Sequence, residues 1–417
     1  MFLESFLTKM AMTPEQESVL HFVKQRKNVF MTSPAGYGKS YVIERIVYWA
    51  KTEKISFGVT AMTGTAAILI NGRTLHSFLG IGLGKDKAED LASVCNKYVK
   101  QKLMKLRLLI VDEVSMLDIE LFEKISTYLG LIRKKPDIPF GGIQLLFSGD
   151  MFQLPPVKGD YCFQSKLWEQ CQFQIVQFTK NMRQQKDTSF QTLLQSLRIG
   201  HCSTTELQQL KSLSNTEFTN GITPTRLYSL NIDVDNINQI ELQELIKTTH
   251  PILKTYSIRF RNKISQAKTL IKSMNVPESI QLCSNAQVVL TRNLQIESGL
   301  VNGSRGVVLE VTDSAVLVKF QNGVIYPITY YDHEDENEIL FSYIPLRLAY
   351  ALSIHKCQGM TLDAIEIDLG KSIFCWGQAY TALSRAKDMA SIRIIDIHQK
   401  SFRTHPFVLD FYKNQSM

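Results

Sequence analysis

At 417 residues the chain is longer than a single hydrophobic core usually serves, so two or more domains are expected. A hydrophobic share of 44% with 21% charged residues is that of a soluble globular protein, and no apolar run reaches the length of a membrane span. Glu4 and Lys9 interrupt the place of a secretory signal, and seven cysteines without a C-x-x-C pair argue for free thiols in a reducing compartment, so an intracellular protein is expected; its net charge of +8 admits a polyanionic partner.

The first predicted strand is Val29-Phe30-Met31, followed by Ser33-Pro-Ala-Gly-Tyr-Gly-Lys-Ser40 and an amphipathic stretch from Tyr41 to Trp49. Strand, glycine-rich turn and helix in that order make a phosphate-binding loop. Gly36 and Gly38 permit the dihedrals that turn backbone N–H groups toward phosphate oxygens, and the helix start adds its positive dipole. Lys39 is placed to reach the β- and γ-phosphates, and Ser40 to hold Mg²⁺. Ser33 departs from the glycine that usually opens this pattern.

Short apolar runs follow at Phe57-Gly-Val-Thr60, Leu108-Leu-Ile-Val111 and Ile143-Gln-Leu-Leu-Phe147, and they suit buried parallel strands. Residues 1 to about 180 therefore read as one nucleotide-binding domain. Asp112-Glu113 follows the run from Leu108 to Val111. There one carboxylate can hold Mg²⁺ and its neighbour can polarise an attacking water, although two acids capping a helix would read the same way. Gln153 suits a γ-phosphate sensor. Arg183 and Arg385 suit the neutralisation of developing negative charge, or an ordinary surface or salt-bridge role.

Residues 181 to 417 read as a second α/β domain, with strands at Gln287 to Leu290, Ala364 to Ile367 and Ser391 to Ile395. From Gly306 to Tyr330 the sequence alternates in strand fashion around an Asn322-Gly323 hairpin turn, which predicts a small inserted β-barrel. The acidic run from Asp332 to Glu338 reads as its solvated loop tip. From Lys247 to Lys272 seven basic residues and no acidic one are interleaved with Tyr256 and Phe260, which fits either a DNA channel lining or a solvated basic face.

Taken in order, the segments match a known series. Thr13-Pro-Glu-Gln16, Ser33 to Ser40, Thr60 to Ala67 with Thr74 to Phe78, Val111 to Leu117, Gly149 to Val157, Thr179 to Gln184, Ser353 to Gly359 and Gly377 to Arg385 resemble the motifs of Pif-type DNA helicases, of the Pif/RecD branch of superfamily one. Pro139 to Leu145 resembles the signature segment that separates them from their RecD relatives, and Leu300 to Gly306 the opening of an SH3-like insertion. The resemblance implies an α/β fold of two RecA-like P-loop domains with parallel sheets, 1–180 and 181–417. A small wedge insertion is implied at about 79–103 and an SH3-like β-barrel at about 297–345.

It also implies ATP and Mg²⁺ as cofactors. Gln16, Pro34, Ala35, Gly36, Tyr37, Gly38, Lys39, Ser40 and Gly359 would contact nucleotide, and Ser40 and Asp112 the metal. Lys39, Glu113, Gln153, Arg183 and Arg385 would serve catalysis, with the two arginines across a cleft from the loop. Thr63, Gly64, His76, Phe78, His355 and Lys356 would contact single-stranded DNA without reading its sequence. The implied activity is ATP-driven 5′ to 3′ translocation with unwinding of forked or tailed duplexes, with four-stranded G-rich DNA as a further substrate and a monomer as the working form. The alternative is a translocase that does not separate strands. Ser33, Tyr37 and Cys357 depart from the family pattern, and Tyr37 would either crowd the loop or stack on the nucleotide.

Overall fold

A computed structural model of the chain describes residues 11–82, 84–182, 187–218, 223–229, 234–274, 276–295, 298–335, 338–355 and 357–415. Its contacts divide the chain into two units, Met1–Gln185 with Pro406–Met417, and Lys186–His405.

The first unit is built on six parallel strands: β1 (Val29–Thr32), β2 (Phe57–Ala61), β3 (Arg73–Thr74), β4 (Leu108–Asp112), β5 (Gln144–Gly149) and β6 (Gln174–Gln177). Their order is β3-β2-β4-β5-β1-β6. β1 and β4 are buried along their whole length, which explains why they are continuous apolar runs rather than alternating ones. Val29, Met31, Leu108, Ile110 and Leu146 pack with Val42, Ile43 and Ile46 of the helix Lys39–Thr52 in one core. The segment expected as a wedge contains two short helices, Ala88–Ser93 and Lys97–Lys105, and both pack on the helix Ile119–Arg133.

The expected division at 180/181 assigned the whole C-terminal half to the second domain. The helix Pro406–Gln415 instead belongs to the first unit. The cause is aromatic: Phe411 stacks on Phe163 at 4.4 Å and meets Trp168 edge-on, while Tyr412 stacks on Phe152 at 4.7 Å. The Tyr412 hydroxyl pairs with the Thr32 hydroxyl at the end of β1 and accepts from the Met151 N–H just past β5. Tyr412→Phe keeps the ring and strands both partners, so a loss of about 1–3 kcal/mol in denaturant unfolding is expected; an unchanged midpoint would show the hydroxyl to be idle.

The second unit has a four-stranded parallel sheet of β7 (Thr225–Tyr228), β18 (Ala351–Ser353), β19 (Ile365–Leu369) and β20 (Ile392–Ile397), in the order β18-β7-β19-β20. Between β7 and β18 lie antiparallel strands: β8 (Lys254–Ser257), β9 (Arg259–Phe260), β10 (Ser279–Leu282), β11 (Gln287–Leu290), β12 (Arg305–Val311), β13 (Ala315–Phe320), β14 (Ile325–Thr329), β15 (Tyr331–Asp335), β16 (Glu338–Tyr343) and β17 (Leu346–Leu348). They form a five-stranded sheet β14-β13-β12-β11-β17 and smaller sheets β15-β16-β9 and β10-β8.

Three readings change here. Gln287 to Leu290, expected among parallel strands, pairs antiparallel with β12 and β17, because its apolar residues complete the core of Val308, Val316, Val318 and Phe320. The β region therefore extends beyond 297–345 on both sides. The acidic run expected as a loop tip supplies strands β15 and β16, where Ser342 donates to Asp332.

Buried Arg305 ties this region to the parallel sheet by donating to the carbonyls of Ala364, Ala349 and Thr223. Among the described residues no helix is long and apolar enough to cross a membrane, and all seven cysteines are free.

Candidate nucleotide-binding site

The site of the first unit lies at the C-terminal ends of neighbouring strands. Thr32 of β1 stands beside Gly149 of β5, and Val111 of β4 beside Phe147 of β5, so the loop after β1 and the acids Asp112 and Glu113 at the end of β4 share one edge. Gly36 and Gly38 take φ of 90° and 86°, a region that L side chains rarely adopt. At Gly38 a Cβ would also come within 2.8 Å of Gln16 Nε2.

Gln16 has two tasks. Its Oε1 accepts from the Thr13 N–H to complete a capping box on the helix Pro14–Lys24, and its Nε2 donates to the Tyr37 carbonyl of the loop. On the other side the Met182 N–H donates to the Gly36 carbonyl, and Thr179 donates to Glu15, holding that carboxyl below its usual range. The segment leading to Arg183 is thereby anchored on the loop; Arg183 itself lies outside the described residues.

Lys39 donates from Nζ to the carbonyls of Ser33, at 2.6 Å, and Pro34, at 3.0 Å. Ser33 is fully buried and its hydroxyl also faces this ammonium at 3.4 Å, so the departure from glycine adds an acceptor. Ser40 is exposed on the first turn of the helix that follows. Tyr37 is 5% exposed and packs in the core with Val19, Val23 and Val42, which corrects the expectation that it crowds the loop or stacks on nucleotide.

Asp112 ends β4 and is buried, 7% exposed like its neighbour Glu113. Burial pushes its pKa up, opposed by a 2.6 Å hydrogen bond from Ser148 Oγ and by the charge of Lys39. Such a carboxylate is short of positive charge. With the hydroxyl of Ser40 it offers the hard oxygen donors that suit Mg²⁺. Glu113, 7% exposed, takes a left-handed backbone at φ 54° and ψ 43° before the 3-10 turn Val114–Met116. Gln153 is buried and its N–H donates to the Asp150 carbonyl in the turn after β5.

The residues expected to touch DNA fall into two groups. Thr63 caps the helix Gly64–Leu69 by accepting from the Ala66 N–H, leaving Thr63 and Gly64 half-buried. His76 is half-buried, and burial pushes its pKa down against the opposing charge of Asp118. Phe78 is no stacking platform for a base. It is 5% exposed, a Cβ on Gly58 would fall within 2.2 Å of its ring, and Lys102 Nζ stands 4.4 Å from its centroid.

In the second unit His355 is half-buried with its pKa pushed down by burial, Gly359 has φ 83°, and Lys356 lies outside the described residues. Arg385 is 1% exposed and donates to the Thr381 carbonyl and the Ser384 hydroxyl. Cys357 donates to the Ile354 carbonyl, and burial pushes its thiol up to about 12, so it stays neutral as serine would.

Both histidines resist protonation in the fold. Unfolded chains take up those protons first as pH falls through about 6.5, so stability should decline below that pH until the lower folded values are passed. Thermal unfolding of the His76→Asn, His355→Asn variant should lose part of this slope. An identical slope would mean that neither ring is shielded.

Sequence reasoning missed Ser148, Met182 and Tyr412. Ser148 carried a signal, as the one hydroxyl in an apolar strand ending at the site. The other two act through a backbone N–H and a distant chain end, which no local pattern marks.

The parallel sheet, the left-handed glycine loop with its lysine and the buried acid at the end of β4, one strand removed from β1, define a RecA-like P-loop fold. Residues 11–208 match the model of PIF1-like helicases, and residues 267–311 that of the DNA helicase Pif1 2B domain. The ATP-dependent DNA helicase PIF1 of Xenopus laevis is 39% identical over 419 residues, covering 96% of this chain; the chain spans 64% of the length of that relative. The crystal structure of Pif1 helicase from Candida albicans is 32% identical with a TM-score of 0.78, covering 97% of this chain and 100% of that one. That of Pif1 helicase from Bacteroides in complex with ADP-AlF3 and ssDNA is 28% identical with a TM-score of 0.69, covering 98% and 97%. The chain belongs to the PIF1-like helicase family.

Proposed function

We propose that the chain is an ATP-driven DNA helicase that moves 5′ to 3′ on single-stranded DNA and opens forked or tailed duplexes. One observation carries the reading: the loop of Gly36, Gly38 and Lys39 stands at the same sheet edge as Asp112 and Glu113. The relatives named as DNA helicases, and the Bacteroides protein seen with ADP-AlF3 and ssDNA, support the nucleic-acid part.

In this reading the loop N–H groups and Lys39 hold the β- and γ-phosphates, and Gln16 fixes the loop from behind. Ser40 and Asp112 would hold Mg²⁺, which supplies positive charge to the phosphate oxygens. Glu113 takes the proton of the water that attacks the γ-phosphorus as its bond to the bridging oxygen breaks. Thr63, Gly64, His76 and His355 are the DNA contacts assigned here, with His76 and His355 neutral at pH 7. A monomer is the proposed working form, and G-rich four-stranded DNA a further substrate.

Strand separation on duplexes with a 5′ or a 3′ tail tests this. Opening from the 5′ tail alone is expected. Opening only from the 3′ tail reverses the polarity, and DNA-stimulated hydrolysis without opening leaves a translocase.

A further inference from the structure

The first unit carries a second concavity, of about 950 Å³, at the opposite end of the sheet from the nucleotide loop. Asn28, Arg107 and Gln172 line it at or just before the starts of β1, β4 and β6, so the strands separate the two places by about 15–20 Å. One wall is the signature segment. Phe140, Gly141 and Gly142 take φ of 52°, 59° and 75°, three left-handed residues in succession. The Phe140 N–H is fixed by Ser126 Oγ and its ring by Phe122, and a Cβ on Gly141 would meet the Leu129 carbonyl at 2.8 Å. A backbone held this far from the preferred regions marks a place where shape is imposed by the surroundings.

The lining is cationic. Lys24, Arg26, Arg107 and Arg133 face one acid, Glu53. Arg133 is committed, donating to the carbonyls of Gly141, Leu103, Met104 and Leu106. Lys24 stands in the last turn of its helix and complements the dipole there. Arg26 and Arg107 lie outside helices and are exposed, and among the described residues their side chains make no ion pair or hydrogen bond. The rest of the lining is mixed, with the amides of Asn28, Gln144 and Gln172 beside the apolar Trp49, Ile55 and Ile138, the last 47% exposed.

We propose that this concavity docks an acidic peptide segment of a partner protein, one that carries a large apolar residue among its acids. Charge complementarity selects the acids, and Trp49 with Ile138 receives the apolar side chain. A concavity with one aromatic side chain in its lining does not provide the stacked series along a groove that single-stranded DNA uses. The proposal is independent of the nucleotide site.

The test uses the full chain and a labelled peptide of Asp and Glu around one central leucine, followed by anisotropy and by tryptophan fluorescence. Saturable binding is expected, weakened about tenfold or more by Arg26→Glu with Arg107→Glu and weakened also by serine in place of the peptide's leucine. Trp49→Phe should remove the tryptophan signal. Oligothymidylate binding and ATP hydrolysis should stay unchanged. If the double reversal does not fold, Arg26→Gln with Arg107→Gln serves with a smaller expected loss. The proposal is overturned by absence of saturable peptide binding, by equal affinity in the folded variants, or by oligothymidylate binding that falls in parallel, which would make the surface one for nucleic acid.

Discussion

Glu113→Gln is expected to bind ATP but to hydrolyse it about 10²–10⁴-fold more slowly than the unaltered chain. The substitution preserves size and leaves an amide that cannot take a proton. Glu113 sits at φ 54°, a backbone that costs a side-chain-bearing residue about 1–3 kcal/mol and persists only where neighbours enforce it. Enforcement comes from the 3-10 turn after it and from β5, since a Cβ on Gly149 would lie 3.0 Å from the Val114 nitrogen. Glutamine tolerates that backbone equally, so melting and nucleotide binding should match the parent while single-turnover hydrolysis falls. A parental rate would leave only a binding module.

Lys39→Ala differs in kind. Hydrolysis should drop by about 10²–10³-fold, as expected for removal of a charge aimed at a transferring phosphoryl group, and ATP affinity should drop with it. The ammonium also holds the carbonyls of Ser33 and Pro34, at about 1 kcal/mol for each bond lost, which is far too little to unfold the unit. Lys39→Arg should not restore turnover, because a planar fork cannot take the place of a point charge in a closed loop. Isothermal titration of ATP beside initial rates separates the two variants: Glu113→Gln loses rate alone, Lys39→Ala loses both. Rate loss without affinity loss in Lys39→Ala would remove the lysine from ground-state phosphate binding.

The nucleotide site was readable in sequence because its chemistry is local. Glycine dihedrals, one lysine and a strand ending in Asp112 occupy short windows whose meaning does not depend on distant residues. The parallel strands were readable for a related reason, since burial on both faces leaves only apolar residues. Gln287 to Leu290 misled by the same rule, because four buried residues look alike in parallel and antiparallel sheets. Phe78 misled because its motif position gives no sign of the space above Gly58. The partners of Tyr412 are 380 and 261 residues away, beyond any window.

The return of Pro406–Gln415 to the first unit makes that unit discontinuous in the chain, with Lys186–His405 threaded between its two parts. In a nascent chain the rings of Phe152 and Phe163 lack Tyr412 and Phe411 while the entire second unit is synthesised, because those partners follow that unit in the sequence. Domain-by-domain folding during synthesis is therefore interrupted: the nucleotide loop is translated before the second unit, yet the hydroxyl that braces the end of β1 arrives only after it.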